Sequence, residues 1–379
     1  RDREVSQAVH TAAAMSLAGG ALFTVLGIVF SPAILRWMGT PADVLVHAEV
    51  YVRIYFAGMI PSLIYNVGAG LLRAVGDSRR PLYFLIGACM VNIVLDVLLV
   101  VGLEMGVAGA ALATIFSQAV SAVLVVLTLL RSHQAYRLEP RKIRFYGNLL
   151  DRIVRIGFPA GLQSVMYSLS NIIIQASINA FGTDIVAAYT AYGKLDGLYW
   201  MMINAFGVSI TTFVGQNFGA GKYDRMRRSV RVCLLMTFGA TALMSGFFLL
   251  LGEPLYRLFT DDAQVIALGM QILRLLVPTY VTYICIEVLA GAVRGTGDSL
   301  IPTLFTLTGV CLLRVAWVMG VAPAYHSLTV VLLSYPITWT ITSVLFVIYY
   351  LKGGWLKRSI TEMPQLWDTS RRVGMTVME

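Results

Sequence analysis

Apolar stretches long enough to cross a bilayer follow one another along almost the whole chain. An apolar stretch of about 18 residues or more predicts a membrane-spanning segment. Lipid satisfies no backbone hydrogen bonds, so such segments must be helices or strands of a closed barrel. Barrel strands are shorter and alternate in polarity, which these stretches do not. The chain is therefore predicted to be an all-α membrane protein. Its ten predicted transmembrane helices are residues 12–32, 46–70, 82–103, 107–130, 157–181, 185–214, 230–252, 264–290, 301–322 and 327–351.

Composition excludes the main alternative, a large soluble protein with buried helices. Charged residues make up 13% of the chain, whereas soluble domains carry about a quarter. The outer faces of soluble helices would therefore lack polar cover. The chain is instead expected to contact membrane lipids along most of its length.

The basic residues are concentrated in alternate loops. Of the 29 Lys and Arg residues, 23 lie before the first span, in every second loop or in the C-terminal tail. Such asymmetry predicts that these loops and the C-terminus are cytoplasmic, as in a multi-pass protein of the plasma membrane. The net charge of +9 is thus a topology signal. The most basic loop, 131–155, lacks interleaved aromatic residues and a binding motif, so no nucleic-acid partner is expected.

One segment occurs twice. Gly70–Pro81, GLLRAVGDSRRP, recurs at Gly291–Pro302 as GAVRGTGDSLIP. The offset of 221 residues holds without a gap over 84 positions, of which 17 are identical. Six predicted spans separate equivalent points, and an even number preserves orientation. The two copies are therefore parallel repeats related by an axis along the membrane normal. The glycine of each GDS triplet predicts a tight turn, and its Asp and Ser predict a cap for the next helix.

The repeat also predicts how the chain is organised. Spans 157–181 and 185–214 have no counterpart in the first copy. We therefore expect about 70 residues with two further helices before residue 1 in a longer parent, which would then be a two-lobe, six-plus-six transporter of twelve helices. The predicted domains are an N-terminal lobe at 1–130 (four helices, its first two absent), a cytoplasmic linker at 131–156, a C-terminal lobe of six helices at 157–351 and a cytoplasmic tail at 352–379.

Span 157–181 carries a stripe of polar residues spaced four apart. A step of four residues drifts by about 40° around a helix, so the stripe winds over roughly half of its surface. Amides that face lipid are costly. The stripe therefore faces a substrate cavity or forms hydrogen bonds to other helices, and the sequence leaves both open. Its members are Gln163, Tyr167, Asn171, Gln175 and Asn179.

Two carboxylates inside predicted spans are candidates for ion coupling. Glu287 lies in an apolar and aromatic stretch seven residues before Arg294, about 10 Å along a helix. An intramembrane carboxylate is a functional candidate by default, either as a proton carrier or, with neighbouring oxygens, as a Na⁺ ligand. A structural ion pair is the alternative. Asp96 lies deep in its span, one turn after Asn92, which could simply hydrogen-bond to it.

Further polar residues are predicted to line the substrate cavity. Lys194 and Asp196 are two residues apart and point in nearly opposite directions on a helix, so both cannot face one cavity. Asn204 follows in the same span. Asn66 occupies the position in the first repeat that Glu287 has in the second. Tyr283 belongs to a set of aromatic residues that suit planar cations and suit membrane-interface packing equally well.

Three motifs in order resemble the multidrug and toxic compound extrusion (MATE) family of antiporters. They are the doubled RxxGDS loops, GVAGAALATIFSQAVSAVL at Gly106–Leu124 and FVGQNFGAGKYDRMRRSVR at Phe213–Arg231. The resemblance implies two six-helix lobes with a cavity between them and alternating access. It also implies export of amphipathic, often cationic, drugs or metabolites in exchange for H⁺ or Na⁺. Some relatives have an acidic residue near the position of Tyr167, so the composition of the ion site here departs from theirs.

Three other functions are alternatives to antiport. A flippase for lipid-linked oligosaccharides or precursors, from the same superfamily, remains the alternative, although such proteins often carry several arginines in the cavity. An intramembrane enzyme would need paired Asp-rich motifs or HExxH, which the chain lacks, so no enzyme is expected. A passive channel would not need an isolated titratable carboxylate. We expect small-molecule substrates, a monomer and no cofactor beyond the coupling ion.

Overall fold

Helices form all of the regular structure in the part of the chain described below. The computed structural model describes residues 2–37, 42–356 and 359–360, and contains no β-strand in this part of the chain. Eight helical segments of the described chain are long and apolar enough to cross a membrane, and a bent pair of helices supplies a ninth. Some of these segments, such as Ala263–Gly295, contain more than one of the helices named below. The predicted all-α membrane fold is therefore confirmed. Most of the predicted tail lies outside the described residues.

The chain divides into two compact units, Arg1–Arg152 and Ile153–Glu379. In the first unit, α1 and α3 pack together, α4 packs on α5, and α2 contacts both α1 and α5. The first unit contains α1 (Asp2–Trp37), α2 (Ala42–Ala57), α3 (Met59–Ala74), α4 (Arg79–Asp96) and α5 (Gly106–Arg131).

The second unit centres on α7, which packs against α8, α9 and α10. Its long helices are α6 (Gly147–Asn179, whose first residues precede the boundary), α7 (Thr183–Gly219) and α8 (Tyr223–Arg257). They are followed by α9 (Ala263–Leu276), α10 (Ile284–Gly295), α11 (Leu300–Thr306), α12 (Leu313–Gly320), α13 (Ala322–Tyr325), α14 (Leu328–Leu332) and α15 (Ser334–Leu351).

The helix at the predicted span 157–181 differs from the expectation. It begins at Gly147. Its amide and hydroxyl side chains make it less apolar than the eight helices that could cross a membrane by length and composition. Pro159, which is near the start of the predicted span, therefore lies well inside α6. A proline has no N–H to bond to the carbonyl four residues earlier, that of Arg155. The Ser299 hydroxyl donates to this carbonyl over 3.4 Å.

The second predicted span is bent where α2 meets α3. The axes of the two helices are bent by 48° at the break between Ala57 and Met59. Pro61, in the first turn of α3, cannot donate to the carbonyl of Ala57, so a straight helix would be interrupted here. A Cβ at Gly58 would lie 2.7 Å from Ile115 of α5. The bend therefore coincides with a close helix contact that only glycine allows.

The two GDS loops form the predicted turns. Gly76 and Gly297 have φ angles of +93° and +96°, in the left-handed region that favours glycine. In the first copy the Asp77 N–H donates to the Leu72 carbonyl over 2.9 Å, as in a Schellman helix end. The carboxylates of Asp77 and Asp298 accept the backbone N–H three residues on. The aspartates, and not the serines, cap the next helix.

The loop that follows α5 is anchored to α1. His10 is fully buried, and its Nε2 accepts the Glu139 N–H over 2.9 Å. The Tyr146 N–H donates to the Thr11 hydroxyl over 3.3 Å. Leu138 packs into the small core of this unit. Much of the predicted linker is therefore an ordered part of the first unit.

Candidate functional site

A polar cavity of about 630 Å³ opens in the second unit between α6, α7 and α10. It brings together six of the residues predicted from the sequence. They are Gln163, Tyr167, Asn171, Asn204, Tyr283 and Glu287. Trp200, Gly207, Thr211 and Arg294 also line it. The cavity therefore combines amides and aromatic rings with one carboxylate and one guanidinium.

Glu287 lies at the wall of this cavity with partners on both carboxylate oxygens. The Tyr283 hydroxyl donates to Oε2 over 3.3 Å. Arg294 Nη2 donates to Oε1 over 3.4 Å. The Glu287 side chain is 15% exposed and the Arg294 side chain is 22% exposed. The seven-residue spacing seen in the sequence thus produces the ion pair that was the alternative interpretation. The same carboxylate also faces the cavity, so the two interpretations do not exclude each other.

A chain of hydroxyl groups leads from α6 to the carboxylate. The hydroxyls of Tyr167 and Tyr283 are 3.2 Å apart. Because the single hydroxyl hydrogen of Tyr283 goes to Glu287, Tyr167 donates to Tyr283 in this arrangement. The 3₁₀ segment Val277–Thr282, which contains Pro278, immediately precedes Tyr283. It ends where α10 begins and thereby sets which side chains of this span face the cavity.

Glycines allow α7 and α10 to approach closely at Glu287. A Cβ at Gly207 would lie 2.2 Å from Glu287 Oε1 and 2.9 Å from its Cδ. A Cβ at Gly291 would lie 3.0 Å from the Gly207 carbonyl, and the Thr211 hydroxyl lies 3.1 Å from the Gly291 carbonyl. These contacts form a small-residue helix interface of the kind found in membranes. Sequence reasoning missed it, although small residues four apart on both spans were an available signal.

Asp196 occupies a second polar site beside the cavity. Its Oδ1 accepts from the hydroxyls of Tyr280 over 2.6 Å and Tyr192 over 3.1 Å. Its Oδ2 accepts the indole N–H of Trp200 over 2.8 Å. Trp200 lines the cavity and packs edge-on against Tyr283, with 4.8 Å between ring centroids. Asp196 therefore orients the Trp200 ring, which forms part of the cavity wall.

An aromatic layer behind Trp200 encloses a buried arginine. Trp339 contacts Trp200 and Tyr283 with centroid distances of 6.3 and 5.6 Å. Arg314 is 2% exposed and lies over the Tyr335 ring at 4.3 Å and over the Trp339 ring at 5.8 Å. Such cation–π contacts offset part of the cost of burying a guanidinium.

We predict that Asp196→Ala destabilises the protein strongly. The substitution leaves the donors of Tyr192, Trp200 and Tyr280 without their carboxylate acceptor, at about 1–3 kcal/mol for each donor left unsatisfied. Asp196→Asn keeps an acceptor for Trp200 and should cost less. Thermal unfolding in detergent measures both, with Asp184→Ala, a half-buried residue in the first turn of the same helix, as control. Equal melting temperatures for Asp196→Ala and the control would contradict the role of this site.

The remaining predicted residues lie elsewhere. Gln175 and Asn179 hydrogen-bond to each other over 2.8 Å and do not line the cavity, because the stripe drifts around α6. Lys194 is exposed, while Asp196 turns to the other side of α7, as the two-residue spacing predicts. Asn66 and Asp96 belong to the first unit. Asn66 is exposed, and its amide donates to the Ser62 carbonyl. Their predicted roles remain predictions.

These features define a helical membrane transporter with a polar, charge-bearing cavity. Residues 1–98 and 159–319 match the family model described as MatE, and the chain belongs to this family of multidrug efflux transporters. The resemblance inferred from the three motifs is thereby confirmed.

Relatives support the same assignment. The chain is 26% identical over 356 residues to "Probable multidrug resistance protein YoeA" of Bacillus subtilis. The matched region spans 91% of this chain and 76% of that protein. It is 29% identical over 292 residues to "Probable multidrug resistance protein YpnP" of the same organism, covering 77% and 65%. A solved outward-facing structure of a multidrug resistance MATE family transporter has the same fold, with a TM-score of 0.87, 22% identity and 94% and 81% of the two chains covered.

Proposed function

We propose that the protein is a secondary antiporter that exports amphipathic, often cationic, drugs or metabolites in exchange for H⁺ or Na⁺. The observation that carries this proposal is Glu287, a carboxylate inside a membrane-spanning unit that faces an open cavity. The coupling ion needs no resident cofactor. We propose a monomer in the plasma membrane, with its basic loops and C-terminus in the cytoplasm.

The hydrogen bonds around Glu287 support a proton as one of the two candidate ions. With the carboxylate ionised, Tyr167 donates to Tyr283 and Tyr283 donates to Glu287. With the carboxyl group protonated, the direction reverses, since each hydroxyl oxygen can also accept. The same three side chains therefore satisfy both protonation states without moving. Hydroxyl and amide oxygens of Tyr167, Tyr283 and Gln163 also line the cavity and are the type of ligand that Na⁺ would need.

The ion pair supplies a reason for exchange. With Glu287 ionised, its charge balances that of Arg294, and a cation meets a cavity wall of low net charge. Binding of H⁺ or Na⁺ to Glu287 leaves the guanidinium charge uncompensated, which repels a cationic substrate. By linkage, a bound cation weakens the binding of the coupling ion to the same extent. Ion and substrate therefore displace each other.

The cavity wall suits amphipathic molecules. The rings of Tyr167, Trp200 and Tyr283 offer π faces. The amides of Gln163, Asn171 and Asn204 offer donors and acceptors. Among the described residues that line it, Arg294 is the sole arginine. This does not favour the flippase alternative, for which several cavity arginines are expected.

The proposal is tested by gradient-driven export in proteoliposomes. The protein expressed from its natural gene is reconstituted, and transport of ethidium is followed under an imposed pH gradient or an imposed Na⁺ gradient. We expect one of the two gradients to drive ethidium against its concentration difference. Transport that neither gradient accelerates would contradict antiport while leaving membership of the family intact.

A further inference from the structure

A second cavity, of about 570 Å³, lies between α7 and α8. Its floor and walls are mostly apolar, from Phe206, Ile210 and Phe213 of α7 and Val232, Cys233 and Met236 of α8. Arg225 and Arg228 line one end. The side chains of α7 that face it lie roughly opposite those that face the polar cavity, since residues 206 and 213 are about 180–200° around the helix from residue 204. We refer to it as the α7–α8 groove.

The two arginines of the groove lack a counter-charge. Both are exposed, and neither makes a hydrogen bond or ion pair within the described part of the chain. They also lie in the first two turns of α8, which begins at Tyr223. Positive side chains at a helix N-terminus oppose the macrodipole, whereas an anion bound there is favoured by both the dipole and the arginines. The positive potential at the arginine end of the groove therefore favours the binding of an anion.

The length of the groove matches half of a bilayer. From Arg225 to Met236 the helix rises about 16 Å, close to half of a hydrocarbon core of about 30 Å. A molecule that fills it would have a negatively charged group at the arginine end and an apolar body beside Phe213, Val232 and Met236, within the thickness of one leaflet. Arg225 and Arg228 lie at the end of α8 that we propose as cytoplasmic, where anionic lipids are concentrated.

We propose that the α7–α8 groove binds one anionic phospholipid of the cytoplasmic leaflet. Its phosphate contacts Arg225 and Arg228, and one acyl chain lies against Phe213, Val232 and Met236. This site is separate from the polar cavity and does not depend on which ion or substrate is transported.

The chain offers a control with matched charge. Arg227 and Arg231 are on the opposite face of α8, near Tyr350 of α15, and do not line the groove. Arg225→Gln/Arg228→Gln and Arg227→Gln/Arg231→Gln therefore remove the same charge from the same helix. Val232→Trp keeps both arginines and fills the apolar part of the groove, because Val232 is 46% exposed at its wall.

Native mass spectrometry of the purified protein, titrated with phosphatidylglycerol or phosphatidylcholine, tests the proposal. We expect the wild type to bind one phosphatidylglycerol more tightly than phosphatidylcholine by about 30-fold, since each arginine contributes about a factor of five. The Arg225/Arg228 variant should lose this preference, and the Arg227/Arg231 variant should keep it. Val232→Trp should lose the tightly bound lipid with both arginines present.

Two results would overturn the proposal. One is equal binding of the two lipids by the wild type. The other is an equal loss of preference in both arginine pairs, which would show that general surface charge, and not the groove, attracts the lipid. Thermal unfolding of each variant without added lipid ensures that a lost preference is not a lost fold.

Discussion

Glu287→Gln is expected to reduce ion-driven export to the level of vesicles without protein. Glutamine has nearly the same size as glutamate, so the cavity keeps its shape. It cannot release or accept a proton at neutral pH, and it offers a Na⁺ ion no negative charge. The substitution also leaves Arg294 without its partner, so the cavity carries a fixed positive charge. Ethidium should therefore bind more weakly and no longer respond to either gradient.

The control for this variant is Glu253→Gln. Glu253 forms an exposed ion pair with Arg257 at the end of α8, and exposed pairs contribute at most about 1 kcal/mol. This variant should export ethidium at the wild-type rate. Removing the partner of Arg294 costs stability as well, so the double variant Glu287→Gln/Arg294→Gln is measured alongside. If either variant at position 287 reaches the membrane and exports normally under a gradient, Glu287 does not couple the ion.

Gly207→Ala is expected to reduce export by at least about tenfold because it displaces the Glu287 carboxylate, although it removes no polar group. The added Cβ would lie 2.2 Å from Oε1 of the carboxylate, so the carboxylate or the helices must move. Overpacking of this kind costs about 1–3 kcal/mol. Because the clash is with the end of a side chain, most of the adjustment should come from Glu287, which would lose its position between Tyr283 and Arg294.

Two glycines of the same helix provide controls for this substitution. A Cβ at Gly193 or Gly197 meets no atom within 4 Å, so alanine there should leave export unchanged and raise helix propensity slightly. The comparison uses export rate and thermal unfolding for all three variants. Normal export by Gly207→Ala, with a melting temperature equal to the controls, would show that the close approach of α7 and α10 has no role.

One wall of the cavity could be predicted because a single helix, α6, supplies it. The positions of Gln163, Tyr167 and Asn171 follow from spacing on α6 alone, and the cost of polar groups in lipid points them away from it. The same spacing does not say where the stripe leaves the cavity. It therefore does not separate Gln175 and Asn179, which do not line the cavity, from the three residues that do. That boundary depends on the neighbouring helices and on where α6 begins.

The parts that could not be predicted depend on contacts between distant segments. The Asp196 carboxylate bonds to the Tyr280 hydroxyl across 84 positions of sequence. The direction of the Tyr280 side chain depends on the 3₁₀ segment Val277–Thr282, in which it lies. The contact between Gly207 and Glu287 likewise requires the packing of α7 on α10. The sequence places Tyr283, Glu287 and Arg294 along one span. The contact between the Tyr283 and Tyr167 hydroxyls, across 116 positions of sequence, requires the packing of α6 beside that span.

The central claim is that substrate and coupling ion compete for Glu287. The most direct test is the release of ions when ethidium binds to the purified protein in weakly buffered detergent solution. Proton release is followed by a pH electrode, and Na⁺ release by displacement of radioactive sodium. The wild type should release about one H⁺ or one Na⁺ for each ethidium bound, and Glu287→Gln should release none. Equal release by the two proteins, or binding to the wild type without any release, would contradict the claim.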